Sequence, residues 1–117
     1  MRRTITMAGA LVGASLTLAL PALGATQATG VTVTAGKPAE FKFTLSKKSV
    51  VKGKVTFSVT NSGKLEHDFK IAGKKTVKLK PGKKATLSVT LPAGKAAYLC
   101  TLPGHAAGGM KGSLTVK

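Results

Sequence analysis

Lys54-Val55-Thr56-Phe57-Ser58-Val59-Thr60-Asn61-Ser62-Gly63 alternates apolar and polar residues with a period of two and then stops at a turn signal. In an extended chain successive side chains point to opposite faces, so Val55, Phe57 and Val59 share one face and Lys54, Thr56, Ser58 and Thr60 the other. That pattern predicts a strand buried on one side. Asn and Ser side chains bond their own backbone and Gly tolerates positive φ, so the three together end the strand in a turn.

The same period recurs on both sides of this segment. Residues 31–34 alternate Val with Thr, and residues 40–45 set Phe41, Phe43 and Leu45 against Glu40, Lys42 and Thr44. Phe69 and Ile71 share a parity, as do Val77 and Leu79 ahead of Pro81-Gly82. Leu87, Val89 and Leu91 alternate with Thr86, Ser88 and Thr90 up to Pro92. Ala96, Tyr98 and Cys100 face one way on the next segment, and Leu114 and Val116 do so on the last. No segment carries helical periodicity. About eight short strands separated by turn signals predict an all-β fold, an antiparallel β-sandwich with Greek-key connections.

The start of the chain does not belong to that sandwich. Arg2 and Arg3 precede an uncharged run of apolar and small residues over 7–20, and residues 21–25 supply a Pro and the small side chains of a cleavage site. The run is short for a permanent membrane span and reads as a signal peptide over residues 1–25, leaving one domain over 26–117. The Arg pair suits either the twin-arginine or the general export route. Export predicts a periplasmic or extracellular protein with no permanent membrane span. A domain of about ninety residues is near the size at which one core suffices, so a further staple would help it. A disulfide cannot be that staple, because Cys100 is the only cysteine. An exported chain that keeps one unpaired thiol needs a use for it, and a bound metal is such a use.

The formal charge is +16. All seventeen Lys and the three acids, Glu40, Glu66 and Asp68, lie in the domain, whose own charge is 17 − 3 = +14. Lys on outward positions protects sheet edges from pairing with other chains and also steers acidic partners. Nucleic acid is a poor match: after the signal no Arg remains for bidentate contacts, and Phe41, Phe43, Phe57, Phe69 and Tyr98 all sit on inward parities, leaving no stacking platform.

Chemistry concentrates in four residues. Without the signal, the chain has two His, one Cys and one Met, namely His67, His105, Cys100 and Met110. Three of them lie on Cys100-Thr101-Leu102-Pro103-Gly104-His105-Ala106-Ala107-Gly108-Gly109-Met110, where Pro and Gly allow a tight loop between the last two strands. His67 follows the Asn61 turn, where a neighbouring strand would bring it beside Cys100. Two imidazoles, a thiolate and a thioether form the donor set that selects copper for electron transfer. Structural zinc sites prefer closed sets of Cys and His without Met. A binuclear copper centre needs a second Cys in the loop. A Cys–His catalytic pair would leave Met110 idle.

On the stretches Asn61-Ser62-Gly63-Lys64-Leu65-Glu66-His67-Asp68-Phe69 and residues 98–112, the chain resembles the cupredoxins, the plastocyanin and azurin family of blue copper proteins. The resemblance covers the whole of 26–117. It implies one copper ion cycling between Cu(I) and Cu(II), with His67 as the upstream ligand, Cys100 as the thiolate, His105 as the imidazole at the solvent edge and Met110 as the weak axial ligand. It implies a monomeric one-electron carrier rather than an enzyme, serving redox proteins with acidic docking surfaces such as a cytochrome or oxidase domain. A copper carrier, storage or resistance protein would use the same four ligands. Two positions depart from the family pattern. Asp68 stands where many members have Asn, and is expected to brace the ligand loop by accepting a hydrogen bond from Thr101. Ala96 replaces a frequent Tyr.

Overall fold

The computed structural model describes residues 28–117. The signal segment expected over 1–25 lies outside the described residues. Within them the chain forms nine strands and no helix: β1 (Thr29–Ala35), β2 (Phe43–Leu45), β3 (Ser49–Val50), β4 (Gly53–Asn61), β5 (Lys70–Ile71), β6 (Lys74–Lys75), β7 (Lys84–Leu91), β8 (Gly94–Leu99) and β9 (Lys111–Val116). They make a four-stranded sheet in the order β2-β1-β4-β7 and a five-stranded sheet in the order β3-β9-β8-β5-β6.

The sandwich follows from the alternation, but its pairing is not wholly antiparallel. β1 runs parallel to β4, with Val31 opposite Phe57 and Ala35 opposite Asn61. β3 runs parallel to β9. After the β1–β2 pair the chain crosses to the other sheet for β3 and returns as β4, so that β1 and β4 point the same way. Period-two patterning fixes which face of a strand is buried and is silent on direction, which is why the sequence reading assumed antiparallel pairs throughout. The consequence is functional: the C-terminal ends of β1 and β4 lie side by side, and both chains leave the sheet at the same end of the sandwich.

The inner faces meet in one apolar core. Val31, Val33, Val55, Phe57, Val59, Val89 and Leu91 come from the first sheet, and Val50, Ile71, Leu114 and Val116 from the second, joined by Phe69 just ahead of β5 and by Leu79. Phe69 is its hub, with ring centroids 5.2 Å from Phe57, 5.3 Å from Phe43 and 5.5 Å from Tyr98. Such aromatic contacts add to the stabilisation from area burial.

Two local expectations are corrected. The strand expected over 40–45 is only Phe43–Leu45, and residues 36–42 form a loop closed by Gly36 N–H donating to Lys42 O at 2.9 Å. Val77 is 72% exposed, because Thr76 takes the inward position and donates its hydroxyl to Val77 O while accepting from Phe69 N–H. Leu79 is buried as expected and bridges to His67 through paired backbone bonds of 2.8 and 3.1 Å.

These assignments set a stability contrast. Phe69→Ala is expected to cost about 3–5 kcal/mol through cavity formation, whereas Val77→Ala should stay within about 0.5 kcal/mol. Denaturant unfolding of the metal-free protein measures both, and similar losses at the two positions would contradict the packing described.

Candidate metal centre

Three loops meet at the end of the sandwich where β1, β4 and β8 finish. The first, residues 36–42, follows β1; the second, 62–69, follows β4; the third, 100–110, follows β8. The parallel β1–β4 pair ties the first two together. Ser62 N–H donates to Ala35 O at 2.8 Å, and an added Cβ on Gly36 would collide with the Gly63 backbone, so the two glycines permit backbone contact. Gly36 has φ of +85°, which an L side chain resists.

Asn61 organises the second loop. It is fully buried, its side-chain amide donates to Leu65 O at 2.8 Å and Leu79 O at 2.7 Å, and its Oδ1 accepts from Gly63 N–H at 2.8 Å. A buried amide is tolerated because its donors and acceptor are used. The turn that the sequence reading took as a strand end is thus a clasp for the segment leading to His67.

The third loop is held at both ends. Cys100 N–H donates to Met110 O at 3.1 Å, and Met110 N–H donates to His105 O at 3.0 Å. Gly104 and Gly109 have φ of +81° and +113°, which lets successive turns fold His105 back over Cys100. β5 pairs with β8, placing Lys70 opposite Leu99, so Asp68 arrives beside Thr101. Asp68 is buried and accepts from Thr101 N–H at 2.6 Å and from the Thr101 hydroxyl on its other oxygen.

These constraints bring His67, Cys100 and His105 together, with one donor atom from each lying within 4.8 Å of the others. His67 Nδ1 and His105 Nδ1 are 3.2 Å apart, and Cys100 Sγ is 3.4 Å from His105 Nδ1. Such spacings suit donors sharing one first-row ion, whose bonds to nitrogen and sulfur run about 2.0–2.3 Å. Met110 is fully buried and packs in one cluster with Cys100 and Ala35, bordered by Phe41, Phe43 and Leu102. The Phe41 ring lies 4.9 Å from that of His105. His67 and Cys100 are buried, while His105 is half-buried at the surface.

The electrostatics suit a cation. Burial pushes the Cys100 thiol up, partly offset by the Asp68 and Leu102 backbone amides. Burial, with the neighbouring His67 adding to it and Glu40 and Asp68 opposing, pushes His105 down, which favours the neutral ring. A bound cation would compensate the thiolate and accept both nitrogen lone pairs.

Glu40, which the sequence reading placed on the solvent face of a strand, belongs to this site. Its carboxylate accepts from Lys64 N–H at 2.8 and 3.0 Å and from Leu65 N–H at 3.1 Å. Oε2 also lies 2.6 Å from His67 Nε2. The Lys64 amide, aided by the His67 ring and the Leu65 amide against the opposing effect of burial, holds the Glu40 carboxyl down at about 2.

A group whose folded pKa is depressed contributes stability that is present above its ordinary value and lost as pH falls through the folded one. For Glu40 that window runs from 4.5 down to about 2. In the metal-free protein, Glu40→Gln should therefore flatten the loss of stability across this window, as read from urea midpoints. The same slope in both proteins would contradict the pairing.

Comparison with known proteins agrees with this geometry. Residues 27–117 match the family model described as copper binding proteins, plastocyanin/azurin family. No curated protein matches the chain by sequence. Among solved structures the chain is similar to auracyanin B, with 23% identity over 80% of this chain and 91% of that one, at a TM-score of 0.69. It is also similar to auracyanin A, a "blue" copper protein of Chloroflexus aurantiacus, with 19% identity over 78% of this chain and 100% of that one, at a TM-score of 0.66. Rusticyanin from Thiobacillus ferrooxidans aligns with 24% identity over 80% of this chain and 79% of that one, at a TM-score of 0.65. These likenesses establish the fold, and the family match covers the whole sandwich together with its three site loops: the chain belongs to the plastocyanin/azurin family of copper-binding proteins, the cupredoxins.

Proposed function

We propose that this protein is an exported one-electron carrier that holds a single copper ion through His67 Nδ1, Cys100 Sγ and His105 Nδ1, with the Met110 thioether as a weaker fourth ligand. The observation that carries this reading is the convergence of two imidazole nitrogens and one buried sulfur within 4.8 Å, beside a fully buried Met. When bound, copper supplies the Cu(II)/Cu(I) couple. The chain supplies a donor set braced before the ion arrives: Glu40 on His67, Asp68 on Thr101, and the Cys100–Met110 backbone bond across the loop. A braced set limits rearrangement between oxidation states, and it favours retaining copper over handing it on. Export is supported by the charged start, uncharged run and small residues within 1–25.

His105 is the half-buried member of the donor set and offers the route by which a docked redox partner would reach the site. The loop around it carries no formal charge from Leu99 to Met110, and Leu65, on the loop that carries His67, is 47% exposed. Lys42, Lys64 and Lys111 are exposed and border these loops. A partner with an acidic rim, such as a cytochrome or an oxidase domain, would complement that arrangement. The protein then acts as a monomeric carrier, without catalysis of its own.

Adding Cu(II) to the purified protein is expected to produce an intense visible thiolate-to-copper band that Cys100→Ser abolishes and Asp68→Ala shifts. A wild-type protein without the band, or a band that survives Cys100→Ser, would overturn the reading. Electron transfer to an acidic partner should slow as salt rises, because exposed charges separated by more than about 10 Å are screened at 0.1 M. Rates independent of ionic strength would remove the steering role of the Lys residues.

A further inference from the structure

The His67–Glu40 pair has features that a chance surface contact lacks. His67 is fully buried and Glu40 is 27% exposed, at a separation of 2.6 Å. An ionised carboxylate can only accept, so His67 Nε2 carries the proton between them. That tautomer leaves the lone pair on Nδ1, the atom that faces His105. The carboxylate is itself held by the Lys64 and Leu65 amides and cannot swing away without leaving both unpaired.

Space is reserved for the pair. A Cβ on Gly63 would fall on Glu40 Oε2 and within 2.9 Å of His67 Nε2. The charge distribution is equally uneven: the chain has nineteen basic residues and three acids, yet two of those acids, Glu40 and Asp68, are bonded to residues of the donor loops.

We propose that Glu40 is a positioning residue for the copper ion: it keeps the Nδ1 lone pair of His67 turned toward Cys100 and His105, and its fixed negative charge favours Cu(II) over Cu(I). This rests on the copper reading given above. A carboxylate that accepts the remaining N–H of a ligating imidazole fixes ring orientation and raises ligand basicity. The raised basicity and the nearby negative charge stabilise the more highly charged ion and lower the reduction potential. In a chain of formal charge +16, whose Lys residues act in the opposite direction, Glu40 supplies negative charge at one of the ligands themselves.

The test compares reduction potentials of the copper-loaded wild type, Glu40→Gln and Glu66→Gln. Glutamine can still accept from His67 and from a loop amide, so Glu40→Gln should retain the visible band. Losing such a partner changes metal affinity by about 10–100-fold; a loss of about tenfold that falls on Cu(II) and spares Cu(I) raises a one-electron potential by about 59 mV. Glu66→Gln removes the same formal charge next to His67 in sequence without touching the pair, and should move the potential far less. Equal potentials in wild type and Glu40→Gln, or equal shifts in the two variants, would overturn the proposal and leave the copper reading standing. A wild type without the band would end both. One measurement needs no variant: ring 15N shifts of the diamagnetic Cu(I) form should show His67 protonated at Nε2, and protonation at Nδ1 would overturn the positioning role.

Discussion

The parallel pairing of β1 with β4 is the constraint on which the rest of this site depends. Two strands running the same way deliver their following loops to one end of the sandwich, and the register that sets Ala35 opposite Asn61 brings those loops into contact. Glu40 and His67, twenty-seven residues apart, meet for that reason. An antiparallel arrangement of the same strands would bury the same valines and send the two loops to opposite ends. The antiparallel β5–β8 pair adds the third loop by setting Asp68 beside Thr101.

Around the donors, polar burial is matched by bonding. Among the described residues the buried polar side chains are Asn61, His67, Asp68 and Thr76, and each has partners from a different part of the chain or from its own turn. A buried polar group left unpaired costs about 1–3 kcal/mol, so these bonds specify the loop conformations as well as tolerating the burial. The Cys100 thiol differs: its side-chain contact is the 3.4 Å approach to His105 Nδ1, and burial pushes it toward the protonated form. The donor cluster is therefore arranged for a cation that the apolar core does not itself provide, and metal binding and local order reinforce one another there.

Much of this was legible in the sequence. Alternation identified the core strands around Phe57, Val89 and Leu114, because side-chain parity is a local property of extended chain. His67, Cys100 and His105 were legible as a set because soft and imidazole donors are so few in the domain, and the structure brings their donor atoms together. The Asp68–Thr101 contact followed from the family resemblance and is present. Strand direction was not legible, since parity carries no directional information. Glu40 was missed for a related reason: continuing the alternation of Phe41, Phe43 and Leu45 back to residue 40 made it an outward strand residue, whereas that strand begins at Phe43. The Gly36-Lys37-Pro38 sequence was the available sign that a loop intervenes. The scarcity of acids in so basic a chain was the available sign that this one has a specific partner.

Diffraction from copper-loaded crystals at the copper absorption edge would locate an ion held by the three loops that strand direction brings together. A single anomalous peak is expected, bonded to Cys100 Sγ and to Nδ1 of both His67 and His105, with Glu40 still on His67 Nε2. A peak at any other position, or one bonded to His67 through Nε2, would contradict that arrangement.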